Sequence, residues 1–259
     1  MTNLFAFERQ EGWIFSQEYV SSHGMKLIKM FVGISLLFPS VVLTQVLWDL
    51  LLAARTNVDI FLPLPAVALV TGSMAWILLF TIFPRPLRSY ILAHELTHAL
   101  WGVMMGARIS RIRVKADHGS VVLSKTNFLI TLAPYFFPLY TVLAILVYLI
   151  CSLFYDLQSY SLLWLGLVGF TWAFHVTFTI NALLQRQTDI QQQGKIFSYV
   201  FIYFANVLGV CIWVVLVTTP DGRDVLHFLT MRTARVWDGV LWIVACSRAM
   251  WSWTWMRYG

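Results

Sequence analysis

The sequence predicts an all-α polytopic membrane protein with about six transmembrane helices and one small β-hairpin, and three observations predict it. Hydrophobic residues make up 59% of the 259-residue chain, charged residues only 12%, and the mean hydropathy is +0.73, a balance far from that of a soluble domain. The apolar residues gather into runs long enough to cross a bilayer. A single short segment departs from them into the alternating pattern of extended chain.

Residues 1–25 carry Glu8, Glu11 and Glu18 and lack a basic start followed by an apolar core, so they read as a surface arm and not as a cleaved leader. The first span runs from about Leu27 to Leu52, with Pro39 as a kink and Asp49 near its end. The second, about Ile60 to Phe83, is stopped by Pro84-Arg85-Pro86. A third and rather short span, about Leu87 to Met105, has a polar centre that must face other helices and not lipid. After Gly106, basic and branched residues alternate through Arg111-Ile112-Arg113-Val114-Lys115. Asp117-His118-Gly119 is turn chemistry and residues 120–124 resume an extended pattern, which together predict the hairpin.

A fourth span covers about Phe128 to Phe154 and opens with the proline-bearing stretch from Leu132 to Pro138. A fifth covers about Tyr160 to Leu184, and a sixth, Ile196 to Val217, ends at Thr218-Thr219-Pro220. The tail mixes Arg232, Arg235, Arg248 and Arg257 with tryptophans, a pattern that favours an amphipathic interfacial helix over a seventh span. No repeat or soluble insert divides the chain, so it reads as one membrane-embedded domain, 1–259: arm 1–25, transmembrane core 26–218, interfacial tail 219–259. The net charge of +6 is dispersed among loops, which suits lipid headgroups and not nucleic acid. Lys and Arg divide almost evenly between the two faces, and sidedness stays open. Cys151, Cys211 and Cys246 lie in apolar runs without paired spacing and predict neither disulfides nor a thiolate metal site.

The chemistry is concentrated in His94-Glu95-Leu96-Thr97-His98. Four residues on a helix is slightly more than one turn, so both imidazoles leave one face about 6 Å apart and can grip one ion. Imidazole suits zinc, and a catalytic zinc takes three protein ligands with the fourth position left to water. Glu95 then stands beside the metal as a base for that water, the pattern of amide hydrolysis. The competing reading is a helix whose histidines only hydrogen-bond in a polar core, but ionisable groups flanked by Ile, Leu, Ala and Trp inside a membrane are costly and functional by default. For the third ligand the spans offer His175 and Asp189, with Asp49 behind them. Asp117, His118 and Asp156 fall in turns or loops, where a solvated role is the simpler one.

An HExxH helix inside the membrane, a following hairpin, a proline-bearing span and a later Asn-to-Asp segment together resemble the site-2 protease family of intramembrane zinc metalloproteases. Asn181 and Asp189 are separated as that family's asparagine and ligand aspartate are. The prolines between them are absent, Ile190 replaces the glycine after the aspartate, and there is no PDZ-like insert. The resemblance covers about Leu87 to Gly209. It implies His94, His98 and Asp189 as Zn2+ ligands, Glu95 as general base and Asn181 as a contact to substrate or transition state. His175 stands as an alternative ligand, a transition-state contact, a group that orients a ligand, or a core histidine.

The expected function is an intramembrane zinc metalloendopeptidase that cuts a peptide bond in or near a transmembrane segment of a membrane-protein substrate, with the strand at Ile109 to Lys115 able to pair with unwound substrate. The alternative is a noncatalytic scaffold or metal-ion carrier using the same histidines. Glu95 separates the two, because a carrier has no need of a base there. Compact size and the resemblance suggest a bacterial cytoplasmic membrane, and no feature of the sequence sets the oligomeric state.

Overall fold

The computed structural model describes residues 22–56, 64–115, 118–218 and 222–258. In chain order the elements are α1 (Ser22–Thr56), α2 (Leu64–Ile82), α3 (Leu87–Met104), β1 (Ile109–Val114), β2 (Gly119–Leu123), α4 (Phe128–Phe136), α5 (Leu139–Ser152), a 3-10 turn (Gln158–Tyr160), α6 (Ser161–Leu183), α7 (Thr188–Gln193), α8 (Lys195–Thr218) and α9 (Gly222–Tyr258). Among the described residues the predicted apolar runs are mainly helical, and the hairpin falls where alternation placed it. Most of the N-terminal arm, residues 1–21, lies outside the described residues.

Among the described residues, four helical stretches are long and apolar enough to cross a membrane: Met25–Ala53, Leu64–Ile82, Gln158–Leu183 and Lys195–Leu216. The expected fourth span is broken. Pro138 has no N–H to continue the helix, and α4 and α5 meet there at a bend of 75°, making a fifth span only if the pair is counted as one. The expected third span, α3, is not among them, since Arg88, His94, Glu95 and His98 dilute its 18 residues. It is instead a helix packed among others.

Contacts gather the chain into two units, residues up to 29 with 60–198, and residues 30–59 with 199–259. In the first, α2 lies along α6. Their backbones approach so closely that a Cβ at Gly72 would strike the Gly166 carbonyl and one at Gly169 the Leu69 carbonyl, the small-residue contact that helices in lipid use. The Trp76 indole N–H donates to Thr177 Oγ1 at 2.8 Å from within a cluster of Trp76, Phe174 and Phe178. Tyr90 of α3 stacks on Phe178, ring centroids 4.7 Å apart, which docks α3 on the α2–α6 pair.

The other side of α3 is closed by the hairpin and α4, through Ala99, Val121, Leu123 and Ile130. Gly106 makes the turn possible. Its φ of 75° lets its own N–H reach the Val103 carbonyl and that of Ala107 the Gly102 carbonyl, each at 2.8 Å, a Schellman ending that redirects the chain into β1. β1 and β2 pair antiparallel, with an irregularity between Ile109 and Arg111. Gly119, Val121 and Leu123 of β2 face inward, whereas every residue of β1 is exposed.

In the second unit, Val42, Val46 and Leu50 of α1 pack with Val214 and Val215 of α8 and with Phe228 and Leu229 of α9. Asp49 of α1 is gripped by the Arg232 guanidinium of α9, whose Nε donates to one carboxylate oxygen at 2.6 Å and whose Nη2 donates to the other. The tail is thus one long helix whose first part packs on α1.

Candidate metal centre

His94 and His98 sit on the face of α3 that meets α4 and α7. Asp189 arrives in the first turn of α7, a six-residue helix closed by Gly194, whose φ is 93°. Three atoms converge there: His94 Nε2 and His98 Nε2 are 3.2 Å apart, and Asp189 Oδ2 stands 3.5 Å from the first and 3.7 Å from the second. His98 is 2% exposed and Asp189 6%.

That triangle fits a small divalent cation. Tetrahedral bonds of about 2.0–2.1 Å, the zinc values for nitrogen and carboxylate oxygen, require ligand atoms about 3.3–3.4 Å apart. A point in the plane of the three atoms lies about 2.0 Å from each, and one about 0.6 Å out of the plane lies about 2.1 Å away. His94, His98 and Asp189 form a group that could hold a metal ion.

The proton positions agree with that. His98 Nδ1 lies 2.8 Å from the Ile130 carbonyl oxygen, which can only accept, so Nδ1 carries the hydrogen and the Nε2 lone pair faces the centre. His94 Nδ1 is 3.4 Å from the Tyr90 hydroxyl. The His98 Nε2 lone pair and the Asp189 carboxylate face one point in a dry site and leave a place for positive charge.

Glu95 is 3% exposed and its Oε2 makes no hydrogen bond among the described residues. It borders one cleft with His94, Gly119, Asn181, Gln185 and Gln187. Gly119 presses on it, since a Cβ there would come within 2.7 Å of Oε1. Oε2 is held in place by shape and not by a donor. Asn181, on α6, opens into the same cleft and accepts from Gln185 Nε2 at 3.4 Å.

His175 is not in the ligand triangle. It borders a second cavity, with Thr97, Tyr140 and Thr171, onto which His94 also opens. Asp49 is engaged by Arg232, and Asp117 lies outside the described residues. Sequence reasoning missed the Ile130 carbonyl, Tyr135, whose hydroxyl donates to Asp189 Oδ2 at 3.0 Å, and the carboxamides of Gln185 and Gln187. The chain matches no protein-family model, no curated protein and no solved structure.

Proposed function

We propose that the chain is an intramembrane zinc metalloendopeptidase, similar in kind to the site-2 protease family, that hydrolyses a peptide bond in or near a transmembrane segment of a membrane protein. The observation that carries this reading is the meeting of His94, His98 and Asp189 around one point, with Glu95 buried and without a hydrogen bond at Oε2 beside them. When bound, zinc supplies a Lewis acid for the scissile carbonyl and lowers the pKa of a water. Glu95 takes that water's proton and returns it to the leaving amine. Asn181 contacts the substrate from the α6 wall of the cleft. The outer edge of β1, paired on one side only among the described residues, accepts an unwound stretch of substrate as an added strand, because a helix must expose its backbone before it can be cut. A noncatalytic metal carrier would use the same three ligands, but it gives no reason to bury Glu95 with an oxygen that has no hydrogen bond.

The test is the zinc content of the detergent-purified chain, alongside Asp189→Ala and His175→Ala. About one zinc per wild-type chain is expected, as one three-ligand site requires, lost with Asp189→Ala and kept with His175→Ala. Loss with His175→Ala alone would move the third ligand to α6, and a wild type that takes up no zinc would end the reading.

A further inference from the structure

One helix, α4, reaches the whole ligand set. Its Ile130 carbonyl accepts from His98 Nδ1 at 2.8 Å. Its Tyr135 hydroxyl donates to Asp189 Oδ2 at 3.0 Å, and the Tyr135 ring stands edge-on to His94, centroids 5.4 Å apart at 87°. Ile130 is 2% exposed and Tyr135 fully buried, so water does not substitute for either contact.

Why the Ile130 carbonyl is available follows from the sequence. In an unbroken helix it would accept the N–H of residue 134. Residue 134 is proline, which has no N–H and whose ring crowds the carbonyl four residues earlier. The helix gives up one internal bond there, and the freed oxygen faces the histidine. The helix stays anchored despite the loss, because the Asn127 side chain caps its start by accepting from the Ile130 N–H at 2.9 Å.

Tyr135 does the matching work on the acid. Oδ2 is the carboxylate atom closest to both imidazoles, and a hydrogen bond to that oxygen fixes which one faces the centre before any ion arrives. A carboxylate able to swing would lose rotational freedom on binding, and that loss would be taken from affinity.

Resting on the metal-centre reading above, we infer that α4 is the positioning element of that centre: Pro134 frees the Ile130 carbonyl to orient His98, and Tyr135 orients Asp189. Neither residue is a ligand, so their effects appear in how tightly and in what geometry the ion is held.

The experiment titrates the full-length, detergent-purified chain with Zn2+ against a chelator of known affinity, and records the visible spectrum of its Co2+ form. Tyr135→Phe keeps the ring and removes the donor. It should weaken zinc binding about 10- to 100-fold, the range for loss of such an outer contact, and shift the cobalt bands. Pro134→Ala restores a helix donor to compete for the Ile130 carbonyl in a residue that helices favour, and should weaken binding toward the lower end of that range. The melting temperature of the chelator-stripped variants checks the fold separately. Wild-type affinity and an unshifted cobalt spectrum in Tyr135→Phe would overturn the role of Tyr135, and the same result in Pro134→Ala would overturn that of Pro134. If the wild type binds neither ion, the metal centre itself falls, an outcome distinct from equal binding by wild type and variants.

Discussion

Asp49 and Glu95 are both carboxylates drawn out of water in a chain with few charges, yet the protein treats them in opposite ways. Asp49 meets a guanidinium fork that engages both of its oxygens, the bidentate geometry that best compensates a desolvated carboxylate. Glu95 is more deeply buried and has an oxygen with no donor. A buried carboxyl oxygen without a donor is costly to keep, so a stable fold has no use for it. The first arrangement is complete within the unit that holds it. The second leaves an oxygen open to something that enters, and a few ångströms away His94, His98 and Asp189 form a group that could hold a metal ion.

The largest effect should follow from filling that deficit the wrong way. Glu95→Gln preserves shape and removes the base, so hydrolysis of a membrane substrate should fall about 10²- to 10⁴-fold, the usual contribution of a general base, while zinc content stays at the wild-type level. Normal cleavage by this variant would show that Glu95 is buried for some structural reason, and the contrast with Asp49 would lose its meaning. A smaller loss is expected from Gly119→Ala. Its methyl would meet Glu95 Cγ and Oε1 as well as Ile91, displacing the base without touching a ligand. A shift on the order of 1 Å costs up to about 100-fold in rate, with zinc again retained. Unaltered kinetics in Gly119→Ala would mean that β2 does not hold Glu95 in position.

How far this was legible depended on where the signal lay along the chain. The apolar runs and the hairpin were readable because burial in lipid and strand alternation act residue by residue. His94, Glu95 and His98 were readable because helical spacing alone puts the two histidines on one face. Choosing Asp189 over His175 needed the resemblance, since a short polar insert gives no local sign that it folds back on α3 and buries its acid. The break at Pro138 was under-read, because proline can kink a membrane helix or end it and only the packing of α4 decides which. Tyr135 was invisible in an aromatic stretch where every ring looks like filler. Pro134 did carry a signal. A proline inside a helix always frees the carbonyl four residues before it, and asking what Ile130 does with that oxygen leads to His98.

The smallest effect on the centre should come from the satisfied pair. Asp49→Ala removes one partner and leaves the Arg232 guanidinium without its two-oxygen acceptor, so thermal stability should drop. Both residues belong to the unit that holds neither the ligands nor Glu95, and zinc content and the hydrolytic rate of the folded fraction should therefore stay at wild-type values. Replacing the pair together, Asp49→Leu with Arg232→Met, should recover much of the lost stability, because a desolvated ion pair is often matched by apolar side chains of similar volume. The same logic applied to Glu95 gives the reverse result: Glu95→Leu should leave the fold as stable or more so and abolish hydrolysis. Melting curves for the three variants beside their zinc content distinguish these cases. If Asp49→Ala sheds its zinc while still folded, the ion pair acts on the metal site, and the division between a carboxylate kept for structure and one kept for chemistry does not hold.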